Sequence, residues 1–281
     1  MSISLKQIPF ILRPLSRLGL REKQFPINRY GKKTLGTEKE YLDLHRELIS
    51  KKNSVVDQIE AKYKIKIGKR WINNLALYTQ VTKKKSSLDI SHGRLLYTYL
   101  SDYLVKYKKK NKFPMVNILE TGTARGFSAI CMAKALIDAG VPGNINTLDY
   151  MPHESRLIWN CIDDIYGPKS RKEILSRWPK ELLFINFIQC WTEKFLKSFS
   201  MERINFAFLD ASHTYKDVML EFLYINEKQE KGDLIFFDDV SPGAYDGVSE
   251  AVKYIDKTYN YEIDYVNIST KRGFALARKV N

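Results

Sequence analysis

Four apolar runs in the chain end in a carboxylate, and each is followed by residues with a chemical use. They read Glu120-Thr121-Gly122, Asp149-Tyr150, Asp210-Ala211-Ser212-His213 and Asp238-Asp239. Chance does not easily supply four such ends. The densest lies in NILETGTARGFS (117–128), where Gly122 and Gly126 frame a turn of spacing E-x-G-x-x-x-G. Glycines there let the backbone approach a ligand, and the helix N-terminus behind them offers free N–H groups. The spacing is not the G-x-G-x-x-G of dinucleotide dehydrogenases. Asp149 follows Gly122 by 27 residues, where a doubly wound nucleotide fold places an acid to accept ribose hydroxyls. His213, three residues past Asp210, brings an imidazole able to titrate near neutral pH.

These residues need a scaffold, and from Phe113 onward strand and helix patterns alternate. FPMVNILE is a first strand, and AICMAKALI the helix after the glycine turn. NINTLDY (144–150) is a second strand, with ESRLIWNCIDDIYG read as its helix. LLFINFI (182–188) leads into TEKFLKSF, and INFAFLD (204–210) into a helix with Val218, Phe222 and Ile225 on one face. DLIFFDD (233–239) precedes a helix with Val248, Ala251, Val252, Ile255 and Tyr259 at helical spacing. YEIDYVNI and FALARKV, joined by STKRG, then form two strands with no helix between them. Alternating units imply a parallel sheet, and the closing hairpin makes one strand antiparallel. The predicted fold is α/β: a doubly wound, Rossmann-like, seven-stranded and mostly parallel sheet over residues 113–281. Ligands of such sheets bind outside the carboxyl ends of the strands, which makes the four acidic ends the candidate site.

Residues 1–112 are expected to form a basic, mainly helical extension or lid. EKEYLDLHRELISKKNSVVDQIEAKY is helical in composition, with Thr37 and Glu40 placed for a capping box. Leu96, Tyr99, Leu100, Tyr103 and Tyr107 form an apolar stripe that ends in KKKNK. Asp89 and His92 are secondary site candidates, with a helix cap for Asp89 and an exposed loop for His92 as the favoured readings. The first 21 residues, apolar and basic without an acid, are expected to dock on the core.

With Glu120 closing the first strand, the turn resembles motif I of the class I S-adenosylmethionine (SAM) dependent methyltransferases, whose architecture also ends in an antiparallel hairpin. FLDASHTYKDVMLE and GDLIFFDD resemble the D-G-x-H-x-Y and G-G-x-x-x-x-D-D elements of bacterial O-methyltransferases acting on sugars and other small molecules. The resemblance implies that Glu120, Thr121, Gly122, Thr123, Gly126, Ser128, Asp149, Tyr150 and Asp210 bind SAM, with Ser128 on its methionine carboxylate. It implies Asp210, Asp238 and Asp239 as ligands of a divalent cation, Mg²⁺ by the all-oxygen set. His213 with Asp210 would carry proton transfer in methylation of a hydroxyl. Some relatives have an acid where this chain has Ser212. Trp191 is either a stacking platform for adenine or a core residue.

Charge is unevenly placed. Residues 1–112 hold 26 Lys and Arg against 9 Asp and Glu, whereas the remainder is slightly acidic in a chain of net +14. A basic face suits phosphate, an acidic glycan or anionic membrane. The partners expected are a small-molecule or saccharide acceptor, peripheral contact with anionic membrane, and a second copy of the chain. The motifs after the fourth strand argue against nucleic acid. An RNA-binding methyltransferase and a non-catalytic accessory protein of the same fold are the rival readings. Three separated cysteines, Cys131, Cys161 and Cys190, point to reduced thiols and a cytoplasmic setting without a zinc framework.

Overall fold

The computed structural model describes residues 33–270 and 272–281. The docking expected of the first residues lies outside the described residues. The helices α1 (Glu38–Ser50), α2 (Ser54–Tyr63), α3 (Lys69–Thr79) and α4 (Ser91–Lys110) come first. Then follow β1 (Val116–Thr121), α5 (Phe127–Ala139), β2 (Gly143–Asp149), α6 (Arg171–Leu175), α7 (Pro179–Leu182), β3 (Ile185–Gln189), α8 (Thr192–Ser198), β4 (Phe206–Leu209), α9 (Tyr215–Lys228), β5 (Leu234–Phe237), α10 (Asp246–Thr258), β6 (Tyr261–Ser269) and β7 (Arg272–Lys279). The strands form one seven-stranded sheet in the order β3-β2-β1-β4-β5-β7-β6. The first five are parallel, and β7 runs antiparallel to both β5 and β6. This is the predicted architecture, and the order reverses between β1 and β4.

The period of two along each strand sorts side chains to opposite faces. Ile118, Phe206, Phe208, Leu234 and Phe236 pack with α4 and α5 on one face, whereas Leu119, Ala207, Leu209, Ile235 and Phe237 pack with α9 and α10 on the other. The N-terminal helices share the first of these cores. Tyr41 and Leu95, both fully buried, belong to the same apolar cluster as the sheet residues. Polar ties reinforce the junction: Tyr41 Oη donates to Asn160 Oδ1 at 2.7 Å, and Asn160 Nδ2 to the Lys83 carbonyl at 2.8 Å.

Three sequence expectations change. The helix read from residue 38 to 63 is two helices, because Asn53 caps a second start by accepting from Val56 N. The Thr37–Glu40 capping box does open the first. The helix α3 was not expected, although Ile72, Leu75, Ala76 and Thr79 are buried at helical spacing. The helix read over residues 154–167 is replaced by a Leu157–Lys169 bridge and a short 3-10 turn, Ile162–Tyr166. Trp159 explains this: it is fully buried and donates its indole N–H to the Lys169 carbonyl, which folds the segment back.

Between β1 and α9, Thr121 donates from Oγ1 to Glu221 Oε2 at 3.0 Å. Glu221 is buried, and burial pushes its carboxyl up from 4.5 to about 8. A carboxyl raised in the folded state stabilises fully below its unfolded pKa and loses that contribution as pH rises through the folded value. Wild-type stability should therefore fall between pH 4.5 and about 8. Glu221→Gln should remove part of that fall, leaving the variant on the order of 2 kcal/mol more stable than wild type at pH 9 and no more stable at pH 4. Urea denaturation across this pH range checks both.

Candidate active site

A cleft of about 2230 Å³ opens at the carboxyl ends of β1, β2, β4 and β5, closed on one side by the loops of the N-terminal helices. Gly122, Ala124, Asp149, Tyr150, Trp191 and Asp210 line it. The first wall is the β1–α5 turn. Gly122 has φ 92°, and a Cβ there would stand 2.1 Å from the Asp210 carbonyl oxygen. The glycine is therefore needed where the turn crosses the end of β4. Gly126 has φ 88° and is the N-cap of α5.

Beneath the turn lies a buried polar node. Ser128 Oγ and Thr147 Oγ1 both donate to Glu120, one to each carboxylate oxygen, and Thr123 Oγ1 lies 2.5 Å from Thr147 Oγ1. Glu120, Thr123 and Ser128 thus tie β1, β2 and α5 together, and burial raises the Glu120 carboxyl to about 7. Asp149 is drawn into the same turn: it accepts from Ala124 N at 2.8 Å, from Met151 N at 2.8 Å and from Arg171 Nη2 at 3.1 Å. Arg171 is itself buried and reaches the Ala124 carbonyl. Sequence reasoning missed it because its segment shows no site pattern. Arg125 locks the turn to the N-terminal helices, donating to the carbonyls of Thr79 and Trp159 at 2.7 and 3.0 Å. On the neighbouring wall Tyr150 and Trp191 stack, with ring centroids 5.4 Å apart and planes within 10°.

The far wall is made where β4 and β5 end. Asp210 N donates to the Thr121 carbonyl and Asp238 N to the Leu209 carbonyl, so both carboxylates issue from the sheet ladder itself. Asp239 breaks that ladder. Val240 N pairs instead with the Gly273 carbonyl of β7, and the change of partner twists Asp239 to φ 57°. Its carboxylate is thereby turned toward His213, whose Nε2 is 2.9 Å from Asp239 Oδ2 and 4.0 Å from Asp210 Oδ1. Asp210, His213 and Asp239 offer ligand atoms all within 4.8 Å of one another. Recession at the cleft floor and the charges of Asp238 and Asp239 raise the Asp210 carboxyl well above its ordinary value. Asp239 moves the other way: burial is outweighed by the hydrogen bond to His213 and the charge of Arg272. Ser212 faces away from this group, donating to Asp217 at 2.6 Å.

One participant escapes sequence reasoning, and a second lies where it was not expected. Arg272, read as part of the hairpin turn, sends Nη1 to Asp239 Oδ1 at 2.6 Å and Nη2 to Asp238 Oδ2 at 3.0 Å. Its neighbour His92, expected in an exposed loop, is buried in the first turn of α4 against Phe127, with Nδ1 3.5 Å from Arg272 Nη2. Burial and the Arg272 charge push His92 down to about 3, so it is neutral. Asp89 accepts from Ser91 N at the start of α4, as a cap does. Cys131 and Cys161 are buried free thiols and Cys190 is half-buried. Among the described residues no helix is long and apolar enough to cross a membrane.

Residues 119–240, from the core of β1 to just past Asp239, match the profile of a family described as a methyltransferase domain. Over that segment the chain is similar to a methyltransferase domain, carried on the seven-stranded sheet described above. No curated protein matches by sequence. Among solved structures, cofactor-bound Rv0187 from MTB is 16% identical at a TM-score of 0.53, over 75% of this chain and 89% of its own. The O-methyltransferase TomG from Streptomyces achromogenes, involved in tomaymycin synthesis and solved with SAM, is 16% identical at 0.52, over 82% and 97%. SAH-bound methyltransferase PaMTH1 of Podospora anserina is 14% identical at 0.51, over 82% and 97%. At these identities the likeness is one of fold. Within the matched segment, Gly122→Ala should force the turn off the end of β4. Loss of more than about 2 kcal/mol of stability is expected, together with loss of SAM binding, read by denaturation and isothermal titration.

Proposed function

We propose that the domain transfers the methyl group of SAM to a hydroxyl of a saccharide or other small molecule, producing a methyl ether and S-adenosylhomocysteine (SAH). The observation that carries this reading is the His213–Asp239 pair beside Asp210, across the cleft from the glycine turn. The turn at Gly122, Thr123 and Gly126 and the opening of α5 would receive the methionine part. Tyr150 and Trp191 would offer aromatic faces to adenine, and Asp149, which shapes the turn through Ala124 N, would lie nearest the ribose. In the transfer the sulfonium S–CH₃ bond breaks as the O–CH₃ bond forms in line, and the acceptor's proton must leave. With Nε2–H donating to Asp239, His213 keeps a lone pair on Nδ1, and the 39% exposed side chain is open to the cleft. That makes His213 the general base, with Asp239 fixing its tautomer. Asp210, its carboxyl biased toward the neutral form, offers a hydrogen-bonding group beside the reacting oxygen.

The resemblance also implies a divalent cation on Asp210, Asp238 and Asp239. The residues present do not fit that set. Both Asp238 oxygens already accept, one from Asp239 N at 2.7 Å and one from Arg272. No step here runs through a metal. Lys52, Lys66, Lys69 and Lys85 line the cleft from the N-terminal side, which favours an acceptor bearing phosphate or carboxylate. SAH should compete with SAM for one saturable site in isothermal titration; folded protein that takes up neither SAM nor SAH would refute the reading. Asp210→Asn and His213→Ala should retain SAH binding and lose on the order of a hundredfold in transfer of labelled methyl to hydroxyl acceptors.

A further inference from the structure

We propose that Arg272 stands where a divalent cation would otherwise be needed, so that the guanidinium organises the acidic strand ends and excludes metal from them. The proposal rests on reading the cleft as a methyl-transfer site. The antiparallel return of β7 is what delivers the residue. Phe237 pairs with Ala275 and Val240 N binds the Gly273 carbonyl, so the next residue outward, Arg272, must lie beside Asp238 and Asp239. A Cβ on Gly273 would stand 2.4 Å from the Val240 carbonyl oxygen, which holds the two chains close enough for the fork to form.

The guanidinium then does geometrically what an ion between two carboxylates does. Its two Nη atoms take one oxygen from each acid, at 2.6 and 3.0 Å, in a planar fork suited to paired carboxylates. The remaining Asp239 oxygen meets His213, and the remaining Asp238 oxygen meets Asp239 N. Only Asp210 is left without a hydrogen bond from the described residues. A cation entering here would have one such carboxylate, an imidazole already bound to Asp239, and a fixed positive charge beside it. That is a poor match for Mg²⁺, which wants several hard oxygens at open positions.

The surroundings are built for an arginine. Its guanidinium carbon lies 4.9 Å from the Phe274 ring centroid, and the neutral His92 turns Nδ1 toward Nη2 at 3.5 Å. A buried imidazole held neutral can sit beside a guanidinium, where a charged one would repel it. The strain at Asp239, φ 57°, is held by these same contacts. Arg272 is a positioning residue: it fixes Asp239, which fixes His213.

The test titrates Mn²⁺ into the full chain and follows the free-ion signal by electron paramagnetic resonance, with SAH titrated separately. Wild type should show no stoichiometric Mn²⁺ site up to millimolar concentration. Arg272→Met should gain one, at least about tenfold tighter than anything in wild type, and Arg272→Met combined with Asp238→Asn should lose it again. Arg272→Lys should keep the ion out. One Mn²⁺ bound to wild type and removed by Asp210→Asn or Asp238→Asn overturns the proposal, and that measurement decides even where Arg272→Met does not fold. SAH binding reports separately on the methyl-donor reading, so failure of one is not failure of the other.

Discussion

The structure turns on one change of hydrogen-bond partner. β5 lies between β4 and β7, and past its end the regular alternation of partners breaks: Asp238 N meets the Leu209 carbonyl on the β4 side, and Val240 N meets the Gly273 carbonyl on the β7 side. The residue caught between them, Asp239, is forced into the left-handed region. A non-glycine residue there is strained, and the strain is offset by two charged partners. Arg272 holds one carboxylate oxygen and His213 the other. From this follow the aim of the imidazole, the closing of the Asp238–Asp239 pair and the distinct standing of Asp210.

A second constraint governs the opposite wall. The glycine turn must pass against the backbone of β4, and its carboxylates are used to hold it there. Glu120 gathers Ser128 and Thr147 beneath the turn, whereas Asp149 reaches the Ala124 amide and Arg171 above it. Buried polar groups satisfied in this way make a turn rigid, since leaving any one unpaired costs a full desolvation penalty. The donor site is thus shaped before a ligand arrives. Rigid strand ends line one side of the cleft, and helix-borne loops bearing lysines line the other.

Much of this was legible from local pattern. The succession of strands and helices, the closing hairpin and the four acidic ends all follow from apolar runs and the residues that end them. What was not legible depends on contacts between distant segments. Arg272 looked like a turn residue because nothing near it in sequence reveals that β7 returns beside Asp238. His92 looked like a loop residue because its burial comes from Phe127 and Phe208, far along the chain. The segment 154–167 has helical composition, and the burial of Trp159 overrode it. Only α3 carried a readable local signal, its buried stripe, that went unused.

The central claim is that a methyl donor lies across the β1 turn while an arginine, in place of a metal, sets the strand ends that face it. A crystal structure grown with SAH and manganese tests it most directly, through the anomalous difference map. The account predicts SAH in the cleft lined by Gly122, Asp149, Tyr150 and Asp210, Arg272 forked across Asp238 and Asp239, and no manganese peak among the three acids. A manganese peak there with Arg272 displaced, or SAH bound elsewhere, would contradict it.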